Sequence, residues 1–187
     1  AIASYKQAIA LKPDYVETHN NLGITLQELG RLDEALASYK QAIALKPDYA
    51  ETHNNLGITL QELGRLDEAL ATYEQAIALK PNYAQAHVNL GIALKDVKFN
   101  SSKSQLYPLL SQLLTAGNFT RPIDVAGSIL SLLKHDTQIK ELFLKKKSAL
   151  SLNDVTFIIE SLDKLPLLHH LMRLCPLPDL QFEELFV

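Results

Sequence analysis

Histidines, asparagines and one cysteine are the side chains of this sequence whose types and spacing could support chemistry. His19, His53 and His87 recur at intervals of 34 residues. Three imidazoles suggest a metal, but equivalent points on stacked helices lie about 10 Å apart. Zinc takes its ligands at about 2 Å, so the spacing favours histidines that pack between elements. Asn20 and Asn21, Asn54 and Asn55, and Asn89 follow the same interval. An asparagine side chain both donates and accepts, so it can pair with a peptide backbone whatever side chains that peptide carries. Cys175 stands six residues after His169 and five after His170, off the i,i+3 and i,i+4 spacings that bring side chains together on a helix. A buried thiol is therefore expected rather than an activated nucleophile. Lys145, Lys146 and Lys147 read as a helix end whose dipole favours cations, and Glu160 with Asp163 as a surface pair. No glycine-rich phosphate loop occurs. These residues predict no enzyme, no cofactor and no metal site.

The spacing itself is the strongest feature. Residues 3–36 and 37–70 agree at 33 of 34 positions, with Val16 in one and Ala50 in the other. A drifting third copy runs through residues 71–97. A reaction centre needs a few unlike groups at one point, whereas a copied segment makes one surface repeatedly. With position 1 at Val16, Ala50 and Ala84, the unit carries Leu22, Leu56 and Leu90 at position 7 and Gly23, Gly57 and Gly91 at position 8. Ala35 and Ala69 stand at position 20, Tyr39 and Tyr73 at 24, Ala42 and Ala76 at 27, and Pro47 and Pro81 at 32.

Each unit reads as two helices. In "ETHNNLGITLQELG" the spacing of Leu56, Leu60 and Leu63 is helical and Gly64 supplies a stop. Asp67 is the expected N-cap of "EALATYEQAIALK", which Pro81 ends from beyond its last turn. Small residues at positions 8, 20 and 27 allow close approach, and the tyrosine at 24 fills the gap between helices. One such pair cannot bury its apolar face alone, so neighbours must stack into a solenoid.

The period and this residue pattern resemble the tetratricopeptide repeat family over residues 1 to 97. One departure is histidine at position 4, where the family often has tryptophan. "AETHNNLG" resembles the repeats of O-linked N-acetylglucosamine transferases and their bacterial relatives. The resemblance implies an all-α, right-handed α-α superhelix followed by an α-helical segment. It also implies that the first helix of each pair lines a concave groove. That places Glu17, Asn20, Asn21, Ile24, Gln27 and Glu28 towards the groove, followed by Glu51, Asn54, Asn55, Ile58, Gln61 and Glu62. The third set is Gln85, Val88, Asn89, Ile92, Lys95 and Asp96. An extended peptide advances about 3.3 Å per residue, so Asn21, Asn55 and Asn89 would meet its backbone at about every third residue. In the relatives such asparagines hold a peptide in this way; the alternative is that they are solvated or tie one repeat to the next. The family's clamp for a C-terminal carboxylate needs cations at positions 2, 5 and 6. Those positions here hold only Glu, Gln, Asn and Val.

After Val97 the pattern fails. The expected division is a solenoid over 1–103 and a helical segment over 104–187 that caps it. Tyr107 and Pro108 should begin a helix that Gly117 closes, with further helices capped or opened at Thr120, Asp136, Ser151 with Asp154, Pro166 and Asp179. "LMRLCPLPDLQFEELF" resembles the helical connector of bacterial proteins that join such repeats to a methyltransferase or glycosyltransferase domain. A net charge of −3 gives no reason to expect nucleic acid or a membrane surface, and apolar runs are broken by charge or proline. One cysteine fits a reducing, cytoplasmic setting. The chain starts partway through a unit and is read as a fragment, so self-association through exposed solenoid ends is a further expectation. The expected partner is a protein or extended peptide segment. The other function considered is a substrate-selecting or assembly arm of a larger transferase.

Overall fold

The computed structural model describes residues 1–95, 97–115, 120–146 and 165–174. All regular structure among them is helical: α1 (Ile2–Leu11), α2 (Val16–Glu28), α3 (Leu32–Leu45), α4 (Ala50–Glu62), α5 (Leu66–Leu79), α6 (Ala84–Leu94), α7 (Tyr107–Thr115), α8 (Pro122–Leu133), α9 (Thr137–Lys146) and α10 (Pro166–Leu174). The chain divides into two compact units, Ala1–Ala93 and Leu94–Val187.

In the first unit the copied sequence makes copied helix pairs. The first helices of the pairs (A helices) are α2, α4 and α6; the second (B helices) are α1, α3 and α5. α3 packs against both α2 and α4. Its Tyr39 is 0% exposed, as is the equivalent Tyr73 of α5. The fit depends on glycine: a Cβ at Gly23 would stand 2.5 Å from Tyr39 Cε1, and one at Gly57 2.6 Å from Tyr73 Cε1. Ala35, Ala42, Ala69 and Ala76 of the same helices are fully buried.

Each A helix ends on a glycine turn. Gly30 and Gly64 have φ of 71° and 72°, a conformation that costs other residues about 1–2 kcal/mol. The Gly30 and Arg31 N–H groups donate to the carbonyls of Gln27 and Leu26, and Gly64 and Arg65 repeat the arrangement with Gln61 and Leu60. This is the paired C-terminal closure expected after a left-handed glycine. The following B helices begin two residues earlier than the capping pattern predicts. Leu66 opens α5 with Arg65 at the cap position and no side-chain cap bond, so Asp67 lies inside the first turn. The helix dipole rather than a cap bond makes that carboxylate favourable there. Arg65 instead reaches Glu68 at 2.6 Å, as Arg31 reaches Glu34.

In the second unit, a turn of 3₁₀ helix over Ser104–Leu106 leads into α7. α10 packs on α7 and α8, burying Leu110, Leu113, Ile129, Leu133, Leu168 and Leu171. Pro122 fills the first turn of α8, and Arg121, not Thr120, occupies its cap position. The proline presets the helical φ there and lacks an N–H that a cap would have to satisfy. Asp136 caps α9 as expected, its Oδ1 accepting from the N–H groups of Gln138 and Ile139 while Oδ2 accepts from the Tyr107 hydroxyl at 2.6 Å. α10 begins at Pro166 as the sequence predicts. The expected features at Asp96, Gly117, Lys147, Ser151, Asp154, Glu160, Asp163, Cys175 and Asp179 lie outside the described residues, as does the His169 side chain.

Candidate functional site

The A helices carry one stripe of side chains away from the B helices. At 100° per residue, positions 2, 6, 9 and 13 of the unit fall within a narrow arc. Glu17, Asn21, Ile24 and Glu28 therefore share one face of α2, and Glu51, Asn55, Ile58 and Glu62 share the same face of α4. Gln85, Asn89 and Ile92 continue the stripe on α6. The glutamates and Asn21 are exposed, and Asn55, Ile24 and Ile58 are half-buried. Ile92 is 58% exposed.

Beneath this stripe runs a chain of amides. Asn55 Nδ2 donates to Asn20 Oδ1 at 3.3 Å, and Thr52 Oγ1 donates to the same oxygen at 3.0 Å. Asn54 Nδ2 lies 3.4 Å from Asn55 Oδ1. Asn89 Nδ2 then donates to Asn54 Oδ1 at 2.9 Å, and Gln85 Nε2 to Asn89 Oδ1 at 3.0 Å. Position 6 of the second and third units thus reaches back to position 5 of the unit before. Asn20 and Asn54 are 5% and 2% exposed, and Asn89 9%. These amides link neighbouring A helices; for Asn55 and Asn89 that is one of the alternatives weighed on sequence, while Asn21 stays exposed.

Gln27 and Gln61 are similarly engaged. The buried phenols of Tyr39 and Tyr73 donate to their Oε1 atoms at 3.1 Å, and Gln27 Nε2 donates onward to Glu62 Oε1 at 3.0 Å. Burial, followed by the charges of Glu62 and Glu28, pushes the Tyr39 phenol well above its usual value; burial and Glu62 do the same to Tyr73. Lys95 is exposed and belongs to the second compact unit.

The three histidines do not form a metal set. His19, His53 and His87 each place Nε2 2.8 Å from a proline carbonyl six residues back, Pro13, Pro47 and Pro81. A carbonyl only accepts, so Nε2 carries the proton and each ring pins the loop that leads into its A helix. The same loops hold Lys12, Lys46 and Lys80 over the rings of Tyr15, Tyr49 and Tyr83 at 5.1, 4.9 and 4.8 Å. Among the described residues no group of three or more His, Cys, Asp or Glu side chains could hold a metal ion. No helix there is long and apolar enough to cross a membrane.

Sequence reading missed the partners of the asparagines, Thr52 above all. A signal was present: position 5 is Asn20 and Asn54 where another unit follows, and Val88 in the third copy, after which the pattern breaks down. An acceptor is kept where the next unit supplies a donor.

A family model described as tetratricopeptide repeat matches residues 14–82. That stretch of the chain belongs to the tetratricopeptide repeat family. Tetratricopeptide repeats generally mediate protein–protein interactions, and the fold is generally a non-catalytic scaffold. A crystal structure of MamA is 22% identical, with a TM-score of 0.50, and the match covers 87% of this chain and 85% of that one. The likeness shows the fold, an all-α tetratricopeptide solenoid. A Thermobaculum terrenum O-GlcNAc transferase structure is 25% identical, with a TM-score of 0.52 over 61% of this chain. The match spans 22% of that transferase. No curated protein matches the chain.

Proposed function

We propose that the chain is a protein-interaction scaffold whose A-helix face holds an extended protein or peptide segment. The observation that carries this reading is the row of isoleucines at one register of three successive A helices, Ile24, Ile58 and Ile92. It ends in a side chain left 58% exposed. An apolar side chain repeated at one register, half-buried at Ile24 and Ile58 and exposed at Ile92 among the described residues, gives a ligand a line of burial to gain. Asn21 stands beside that line with an exposed amide to offer a peptide backbone, and Asn55, half-buried, has only its second N–H and second lone pair left beyond its ties to Asn20 and Asn54. Asn20, Asn54 and Asn89 hold the helices that present them. A single cysteine and the balance of charge fit a cytoplasmic protein that binds protein rather than nucleic acid.

Panning the whole chain against a library of random peptides tests this. A variant with Ile24→Asp, Ile58→Asp and Ile92→Asp should lose the enriched peptides while keeping its helical circular dichroism. Equal retention by both proteins would reject the A-helix face as the binding surface.

The match to the transferase favours a second reading, in which this face selects substrates for a catalytic domain elsewhere in a longer protein. A reading frame that continues beyond Val187 into a transferase fold is then expected, and a stop codon directly after Val187 would remove that reading.

A further inference from the structure

The A-helix face has a charge pattern that the apolar row does not explain. Glu17 and Glu28 lie eleven residues apart on α2, about 16 Å along its axis and within the same narrow arc. Glu51 and Glu62 repeat the pair on α4. The isoleucines therefore run between two rows of carboxylates, one at each end of the A helices. Neither α2 nor α4 contains a lysine or arginine.

These glutamates differ from those of the B helices. Glu34 and Glu68 are each held by an arginine at 2.6 Å, and that partner keeps their carboxyls below the usual range. Among the described residues none of the four A-helix glutamates has an ion-pair partner. Glu51 accepts from the Tyr49 hydroxyl and Glu62 from the Gln27 amide. Their field is felt locally: after burial, Glu51 and Glu17 raise the Tyr49 phenol, and Glu51 raises that of Tyr83. Like charges set on one face repel, and a cationic ligand would relieve that repulsion.

Resting on the peptide-docking reading above, we propose that the segment held on this face is basic. Its lysine or arginine side chains reach Glu17 and Glu51 on one edge and Glu28 and Glu62 on the other, while its apolar side chains meet the isoleucine row. The geometry suits an extended chain lying across the helices. Successive side chains of such a chain point to opposite sides, which matches two flanking rows. Neighbouring rungs about 10 Å apart correspond to about three residues of an extended strand. A metal ion does not fit the same carboxylates, because ligand bonds of about 2.3–2.6 Å cannot span either separation. The third rung breaks the pattern, with Gln85 in place of glutamate, so the basic part of the segment belongs over α2 and α4.

Fluorescence anisotropy with the whole chain tests this, using three capped nonapeptides. One repeats Lys-Val-Gly three times, so that successive lysines fall three residues apart and on opposite sides; its sisters carry glutamine or glutamate in place of lysine. The lysine peptide should bind about ten-fold more tightly than the glutamine peptide, and the glutamate peptide more weakly still. The preference should shrink as salt rises from roughly 50 to roughly 500 mM. A variant with Glu17→Gln, Glu28→Gln, Glu51→Gln and Glu62→Gln should hold the lysine and glutamine peptides alike. All four side chains are exposed, so circular dichroism should show an intact fold. Equal binding of all three peptides by the native chain would overturn the charge inference and leave peptide docking standing. So would a lysine preference that survives in the quadruple variant. Binding of none of the three would overturn both.

Discussion

Two glycines, two alanine registers and a handful of amides determine how closely the helices of this solenoid approach. Gly57 and Gly64 are seven residues apart and are constrained by different physics. At Gly57 the backbone is helical and the obstacle is a ring: a Cβ would fall 2.6 Å from Tyr73 Cε1. At Gly64 nothing lies within 4 Å of an added Cβ, and the obstacle is a φ of 72°. Gly57→Ala must displace a fully buried tyrosine and should cost about 1–3 kcal/mol. Gly64→Ala should cost about 1–2 kcal/mol through left-handed strain alone. Denaturant midpoints of the two variants check the magnitudes. Tyr73→Leu distinguishes the causes, because shortening that side chain should lower the cost of Gly57→Ala and leave that of Gly64→Ala unchanged. If the two costs respond equally, the close-approach account of Gly57 fails. The amides follow another rule. Asn54 accepts from Asn89 in a nearly dry interface, and removing a partner there strands a polar atom, whereas Asn21 faces water.

Elements of this chain were legible to the degree that local chemistry decided them. Helix existence, the glycine closures, the Asp136 cap and the start of α10 at Pro166 follow from periodicity and end signals that act within a few residues. The starts of α5 and α8 did not, because Arg65 pairing with Glu68 and Pro122 in a first turn favour an uncapped entry over the nearby Asp67 and Thr120. The candidate face was legible as a stripe, since helical geometry alone aligns Glu17, Asn21, Ile24 and Glu28. The division of labour between Asn20 and Asn21 was not, because it depends on where the next A helix lands. Tyr39 and Tyr73 join these elements and make their stability depend on alkali. Burial raises both phenols above the usual value of 10.0, so folding favours the protonated ring. That contribution is complete below about pH 10 and is lost as pH rises through the higher folded-state values. Helical circular dichroism should hold from neutrality to about pH 10 and then fall together with the rise in phenolate absorbance. Tyr39→Phe with Tyr73→Phe should move that loss to higher pH. Unfolding of the variant at the native protein's alkaline midpoint would assign the transition to other groups.

Across the whole molecule, copied units make stability and recognition both sums over repeats, at least within Ala1–Ala93. Each unit contacts its neighbours, so removing one should subtract one unit and one interface rather than abolish folding. Residues 37–70 offer a clean deletion. Joining Leu36 to Ala71 recreates the Leu-Ala junction that the chain already makes at Leu70 and Ala71. Asn89 would then meet Asn20 as it now meets Asn54, preserving the amide tie. Ala86 would stand where Thr52 stood, so the hydroxyl bond to Asn20 would be lost. The shortened chain should keep its helicity per residue. Its denaturant m-value should fall roughly in proportion to the surface removed, with a lower midpoint. It should also bind the lysine peptide more weakly, because Glu51, Glu62 and Ile58 leave with the deleted unit while Glu17, Glu28 and Ile24 remain. Denaturation and anisotropy on one preparation read both effects. A shortened chain that is unfolded would refute the additive account of the fold. One that folds and binds as tightly as the parent would refute the additive account of the binding face.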